Sequence, residues 1–174
     1  MPQGFPDYWV EKAAHTPLVI VGCHDYVGQM GSPYEAAWPV ANLALFMPIT
    51  INEAVTIKRM FIIVYGSSGS ADVGIYDEDG NRRVSQGGAP VPSTEQVKVY
   101  DIADTLLAAG RYYLAVACNS MVPQFMRWVA FVTGANEFFG VREVAAAYPL
   151  PAVVVFADNP TRGYIPAVAA TLQA

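Results

Sequence analysis

The feature that most constrains this chain is its division into short runs of β-branched and aromatic residues, separated by clusters of Gly, Pro, Asn and Asp. Closely spaced runs with turn-forming residues between them are typical of a β-sandwich or β-barrel. The sequence therefore predicts an all-β domain. The candidate strands cover residues 18–22, 42–49, 55–65, 71–76, 82–85, 96–102, 111–118, 126–133 and 152–157.

The apolar pattern differs among these runs. Residues 97–102 alternate along the chain, which predicts one buried and one exposed face. Residues 60–65 and 114–118 are apolar throughout, so we expect strands in the middle of a sheet or beneath a second layer. Together with the turn signals, this pattern predicts a jelly-roll-like antiparallel β-sandwich.

The connections between the runs carry their own signals. Residues 76–81, YDEDGN, predict a tight hairpin in which Gly80 or Asn81 has a positive φ. The prolines of residues 86–94, QGGAPVPST, are expected to keep that loop from pairing at a sheet edge.

Helix is expected at two places only. One short helix is predicted at residues 7–14, and a single turn at residues 103–109, ADTLLAA. Asp101 and Asp104 are expected to cap that turn.

The two ends of the chain differ in composition from its middle. Both are rich in Pro, Tyr and Ala and hold few charges. We therefore predict three parts in one domain. Residues 1–37 form an N-terminal arm for assembly or attachment, residues 38–140 form the sandwich core, and residues 141–174 complete the sandwich and contact neighbours.

Composition restricts what the surface of this domain can be. The chain is 53% hydrophobic and only 14% charged, whereas an ordinary soluble domain has about 25% charged residues. The longest uncharged run, residues 36–52, contains prolines and is too short for a bilayer span of about 20 residues. The simplest explanation is that other protein covers much of the exterior, as in a subunit of an assembly.

Charge also excludes a class of partner. The formal net charge is −5, and a nucleic-acid-binding face needs clustered Lys and Arg. The basic residues are scattered, and their adjacent pairs, Lys58-Arg59 and Arg82-Arg83, fit solvated positions at strand ends. We therefore expect no nucleic acid among the partners.

The two cysteines and the first residues bear on the compartment. Cys23 and Cys118 lie in apolar contexts, which favours buried free thiols over a disulfide. Residues 1–12 lack the basic start and apolar region of a signal peptide. We expect the protein to be made and kept in a cytosol until it is assembled.

The residues that catalysis requires are scarce. The two histidines are His15 and His24. The side chains of His24 and its neighbour Cys23 would point to opposite faces of a strand. Asp77 and Asp79 begin like a calcium loop, but Gln86 stands where a closing Glu is required. We predict no enzymatic activity, no cofactor and no metal.

Aromatic side chains are the remaining candidates for function. Most should lie in the core, but some could anchor a protein interface or stack on a sugar. The N-terminal arm is of particular interest because it combines several amphipathic rings with few charges. The candidate contact residues are Tyr8, Trp9, Tyr26, Tyr34, Trp38, Tyr65, Tyr76 and Trp128.

An ordered set of short motifs runs through the chain after Trp38. They are ANLALFMP at 41–48, IKRM at 57–60, VGIYDEDG at 73–80, LAAGRYYLA at 107–115, YPLPA at 148–152 and YIP at 164–166. In this set and order, over about three-quarters of its length, the chain resembles a β-sandwich module of structural proteins in tailed-bacteriophage virions.

The resemblance implies a non-enzymatic virion component of the tail, a fibre or the capsid exterior, assembled in the host cytoplasm. It also implies a symmetric homo-oligomer, with a trimer favoured, in contact with other virion proteins. It supplies no binding residues. An alternative is a carbohydrate- or receptor-binding module of a phage particle, with a host-surface glycan as ligand. A hydrolase ranks last, since no carboxylate pair is evident at the separation of about 5–9.5 Å that glycoside hydrolysis needs.

Overall fold

The computed structural model of the chain describes residues 19–22, 33–66, 68–129, 139–156 and 163–173. This part of the chain contains strands and no helix, so it also contains no helix able to span a membrane. The strands are β1 (Val19–Val21), β2 (Pro33–Ala37), β3 (Leu43–Ile51), β4 (Val55–Val64), β5 (Ser70–Asp77), β6 (Arg82–Ser85), β7 (Ala89–Pro90), β8 (Gln96–Leu107), β9 (Gly110–Cys118), β10 (Gln124–Val129), β11 (Arg142–Val144), β12 (Tyr164–Pro166) and β13 (Val168–Gln173).

The strands form two antiparallel sheets. Sheet A has the order β1-β13-β4-β10-β12, with β8 paired to β4 and β2 paired to β10. Sheet B has the order β11-β3-β9-β5-β6, with β7 paired to β5. The chain passes repeatedly from one sheet to the other, as in a jelly roll. The prediction of an all-β, jelly-roll-like antiparallel sandwich is confirmed.

The main core lies between the sheets. Successive side chains of a strand point to opposite faces, and alternate residues of β3, from Leu43 through Leu45 to Ile51, face this core. Trp38 is fully buried there, with its ring 5.2 Å from that of Phe125. Its indole N–H donates to the carbonyl of Leu43, so the polar atom of this large side chain is satisfied.

A second core covers the outer face of sheet B. The intervening residues of β3, Ala44 and Phe46, are as fully buried as their neighbours. Residues 145–156, which follow β11 and which we call the strap, lie across this face and exclude water from it. Sheet B is therefore buried on both sides.

Several predictions of local structure are confirmed. β4 lies between β8 and β13, and β9 lies between β3 and β5, as the apolar runs of these strands indicated. β5 and β6 form the predicted hairpin, in which Gly80 has a φ of 84°. Cys118 is a buried free thiol, and burial raises its pKa. Cys23, both histidines and the helix predicted at 7–14 lie outside the described residues.

The helical turn predicted at residues 103–109 is wrong. β8 continues to Leu107, because its last residues pair with the start of β4. Asp101 and Asp104 therefore do not cap a helix. They form ion pairs with Arg59 and Lys58, at 2.7 and 3.3 Å. Those two basic residues lie within β4, whereas the sequence had indicated a strand end.

Two further predictions are also wrong. Within residues 86–94, Ala89 and Pro90 do pair, since they form β7 and lie opposite β5. Pro90 is tolerated because β7 has a partner on one side only. The strand predicted at 152–157 is not formed in its described residues, which make a single bridge between Val153 and Asn81.

The described parts of the predicted arms belong to the sandwich. β1 and β2 come from the N-terminal 37 residues and pair with β13 and β10. β13 comes from the C-terminal segment and lies between β1 and β4. Sheet A thus incorporates strands from both the predicted N-terminal arm and the C-terminal segment.

The inner core predicts a clear contrast between two leucines. Leu45 is fully buried, so Leu45→Ala is expected to lower the free energy of unfolding by about 2–5 kcal/mol through lost contacts and a residual cavity. Leu106 is 67% exposed, so Leu106→Ala should change it by less than about 0.5 kcal/mol. Urea unfolding of both variants measures the difference. Equal effects would contradict the assignment of β3 to the core.

Candidate functional site

The strap is the most distinctive surface element of the described structure. Its apolar side chains pack on the outer face of sheet B, and the ring of Phe156 lies 5.2 Å from that of Phe46 and 4.8 Å from that of Tyr113. The buried members of this cluster are Ala44, Phe46, Tyr76, Tyr113, Ala115, Ala117, Ala147, Leu150 and Val154.

Small residues of sheet B make room for the strap. Gly74 lies under Leu150, and a Cβ added at Gly74 would stand 3.0 Å from the Leu150 side chain and 2.7 Å from the carbonyl oxygen of Val84. Ala115 and Ala117 are fully buried on the same face. The sheet therefore offers a shallow seat into which Leu150 fits.

A buried carboxylate fixes the strap at this seat. Asp72 is the fully buried charged residue of the described core. Its Oδ2 accepts the backbone N–H of Leu150 at 3.0 Å, and its Oδ1 accepts that of Gly87 at 2.9 Å. Asp72 thus joins the strap to the loop after β6 from beneath both.

The protonation of Asp72 reflects opposing influences. Burial raises the pKa of its carboxyl above the ordinary value, because a buried charge loses its hydration. Hydrogen bonds from the backbone of Leu150, Gly87 and Gly88 act in the opposite direction, as does the positive charge of Arg82. Burial has the larger effect.

Further polar contacts hold the middle of the strap. The hydroxyl of Tyr76 donates to the carbonyl of Pro151, and the guanidinium of Arg82 donates to that of Leu150. Burial raises the pKa of the Tyr76 hydroxyl well above its usual range. Tyr76 therefore stays a neutral donor at any physiological pH.

The far end of the strap lies beside the edge of sheet B. The backbone N–H of Arg82 donates to the carbonyl of Ala152 at 2.8 Å, and that of Val154 donates to the carbonyl of Gly80 at 2.9 Å. Val154 is buried, whereas Val153 and Val155 are 61% and 87% exposed. At this end of the strap, Val154 therefore packs in the buried cluster, whereas Val153 and Val155 form an apolar surface that faces solvent.

The structure divides the aromatic residues singled out from the sequence. Trp38, Tyr76 and Trp128 are buried. A side chain inside the fold cannot offer a stacking platform to a ligand, so these three serve the core. Tyr8, Trp9 and Tyr26 lie outside the described residues.

Tyr34 and Tyr65 keep exposed surface. Tyr34, on β2, is 39% exposed, and the guanidinium of Arg127 lies 4.2 Å from the centre of its ring. Arg127 also contacts the ring of Tyr164 and donates to the carbonyl of Gly163. Tyr65 is half-buried just after β4, and burial, with Glu95 and Glu35 nearby, raises its pKa.

Sequence reasoning missed Asp72 and the exposed valines of the strap. The one available signal for Asp72 was a single acidic residue inside an otherwise apolar and small run, SADVGIY. Among the described residues, no group of three or more His, Cys, Asp or Glu side chains is placed to hold a metal ion.

No protein-family model matches the chain, and neither does any curated protein. Its solved structural neighbours include the infectious bursal disease virus Gt strain, at 8% identity and a TM-score of 0.33 over 90% of this chain and 41% of that chain. A mutant VP2 protein of the same virus, from derived T=1 particles, is 9% identical, with a TM-score of 0.32 over 89% of this chain and 39% of that chain. The chain spans about two fifths of those chains, and a likeness at this score establishes no shared function.

The geometry at Asp72 predicts that its isosteric amide is destabilising. In Asp72→Asn, an NH₂ group must face one of the two backbone N–H donors, and we expect a loss of about 1–3 kcal/mol in the free energy of unfolding. Asp79→Asn, at an exposed position of the hairpin, is the matched control and should stay within about 0.5 kcal/mol. Urea unfolding at neutral pH measures both.

The raised pKa of Asp72 also predicts a pH dependence. Because the folded protein holds this proton more tightly than the unfolded chain, the stabilisation from Asp72 is present below its ordinary pKa of 3.8 and is lost as the pH rises through the folded value. The stability advantage of the wild type over Asp72→Asn should therefore shrink with rising pH in that interval and then stay constant. An advantage that grows with pH would show that the pKa is lowered instead.

Proposed function

We propose that this chain is a non-enzymatic structural subunit of a bacteriophage virion. In this proposal it is a β-sandwich of the tail, a fibre or the capsid exterior, assembled in the host cytoplasm from copies of itself and other virion proteins. One observation carries the proposal. Four of the six motifs on which the resemblance to phage modules rests, although distant in sequence, supply residues of one packed unit.

That unit is the second core. Phe46 comes from the motif at 41–48, Tyr76 from that at 73–80, Tyr113 from that at 107–115 and Leu150 from that at 148–152. Their side chains share the cluster beneath the strap. These four motifs therefore share one packing arrangement, while the motifs at 57–60 and 164–166 supply residues of the main core. This arrangement supports reading the motifs as one module.

The surface supports a role in assembly. The chain has 14% charged residues, and several large apolar side chains remain exposed. In the described residues these are Tyr34, Val99, Leu106, Met121, Val122, Val153 and Val155. Contact with other subunits would remove such side chains from water, at about 25 cal/mol per Å² of apolar surface.

The proposal predicts self-association of the purified full chain. Light scattering across a wide range of subunit concentrations should give the mass of a closed oligomer, with a trimer favoured. A mass that stays at 18.8 kDa at every concentration, without binding to other virion proteins, would contradict the proposal.

A second function is favoured by one observation, the exposed ring of Tyr34 held against Arg127. An aromatic ring fixed by a cation on one side is a suitable platform for a sugar of a host-surface glycan. On this alternative the chain is the receptor-binding module of a particle.

The alternative predicts that a glycan array gives specific binding that depends on Tyr34. Aromatic contacts contribute about 0.5–1.5 kcal/mol, so Tyr34→Ala should weaken binding by roughly two- to tenfold. Tyr112→Ala, which removes a partly exposed ring on β9 of the other sheet, is the control. Absence of binding across the array, or equal loss in both variants, would count against this function.

A further inference from the structure

The sequence of the strap encodes a strand that a single copy of the chain does not complete. Residues 152–156, AVVVF, combine β-branched and aromatic side chains, which favour strands. In the structure they make only the bridge between Val153 and Asn81. One side of the backbone of this segment is paired with residues 80–82. On the other side, no described residue is paired with it.

The orientation of the backbone identifies the open side. The carbonyl of Ala152 and the N–H of Val154 face the hairpin between β5 and β6, where they are hydrogen-bonded to Arg82 and Gly80. In an extended chain, the backbone groups of alternate residues point to opposite sides. Those of Val153 and Val155 therefore point away from sheet B, and no backbone partner for them is found in the described part of the chain.

Within the described part of the chain, this open edge lacks the features that normally protect one. Edge strands are usually kept from pairing by charged side chains, prolines or covering segments. No charged residue lies between Glu143 and Asp158, and the prolines of the strap precede the open segment. Val153 and Val155 leave their apolar side chains in water.

We propose that the open edge of the strap pairs with the same edge of a second copy of this chain. The pairing is antiparallel about a two-fold axis beside Val154, with Val153 of one copy opposite Val155 of the other. Each of these residues then donates and accepts one backbone hydrogen bond across the axis. The inference deepens the proposed assembly function and rests on it.

Charge and symmetry favour a second copy over an unrelated partner. A two-fold axis places identical segments side by side, so any charge in the segment would meet its own copy. An uncharged run is free of that repulsion. The pair also brings β-branched side chains into cross-strand contact, which stabilises antiparallel pairs.

The contact is short, which sets the conditions in which it forms. A few paired residues bury far less than the about 1,200 Å² of a stable interface. We therefore expect pairing at high subunit concentration, as between neighbours on a particle. Because the edge pairing has two-fold symmetry, it joins two subunits, or two closed oligomers, to each other. The contacts that close a trimer would therefore use another surface of the subunit.

The test compares lysine at two equally exposed valines. Val153 is 61% exposed and Val122, in the loop between β9 and β10, is 63% exposed. Sedimentation velocity of the full chain should show a concentration-dependent doubling of mass in the wild type and in Val122→Lys. In Val153→Lys, each lysine lies opposite an apolar Val155 and diagonally across the axis from the other lysine, so the apparent Kd for doubling should rise by roughly tenfold or more.

A mixing experiment checks the register. Oxidation of Val153→Cys protein mixed with Val155→Cys protein should give cross-linked pairs of one copy each, because antiparallel partners lie within reach of a disulfide. Either protein alone should give much less. Wild-type protein, with Cys23 and Cys118, supplies the background.

The outcomes separate this inference from the proposed function. Doubling that persists unchanged in Val153→Lys, or that is lost equally in Val122→Lys, overturns the edge pairing and leaves assembly through another surface. If Val153→Cys protein or Val155→Cys protein cross-links as well alone as in the mixture, the register that places Val153 opposite Val155 is overturned. A wild type that forms no assembly of any kind overturns the proposed function as well.

Discussion

The structure depends on one constraint: sheet B is apolar on both faces. Along β3, β5 and β9, nearly every side chain is withdrawn from solvent, whichever face it points to. A two-layered sandwich buries only one face of each sheet. The chain must therefore supply a third layer, and the strap provides it. The docking of this segment thus completes the burial of sheet B.

The polar groups of the strap explain why it is fixed in one place. An extended segment on an apolar surface brings backbone N–H and C=O groups that need partners. Asp72 accepts from Leu150, while Tyr76 and Arg82 donate to the carbonyls beside it. Satisfying these groups from the sheet beneath determines the position of the strap, and apolar burial supplies the stability.

The sequence predicted what local pattern and turn chemistry determine. The apolar runs of β4 and β9 identified central strands, and the residues at 76–81 identified a hairpin with a positive φ at Gly80. Residues 103–109 have good helix-forming residues, but pairing with β4 overrides that preference. β13, with the sequence VAATLQ, has a weak signal of its own and forms because it has a partner on each side.

The site was less accessible to sequence reasoning. Trp38, Tyr76 and Trp128 were candidates for contact because aromatic residues serve cores and interfaces alike, and composition does not separate the two uses. The role of Asp72 as a hydrogen-bond acceptor for the strap is recognisable only once the fold places Leu150, far along the chain, next to it. The signal lies in a non-local packing arrangement, which residue spacing alone does not encode.

The place of β13 in sheet A has a consequence for synthesis of the protein. It lies between β1 and β4, so strands near the beginning of the chain are joined through residues 168–173. Such pairings between distant segments form slowly, because a long loop must close first. While the ribosome is still making the chain, β4 has an open side and cannot complete its sheet. Completion of sheet A therefore follows translation of residues 168–173, and until then the nascent chain exposes an unpaired strand edge of the kind that makes incomplete folds prone to aggregation.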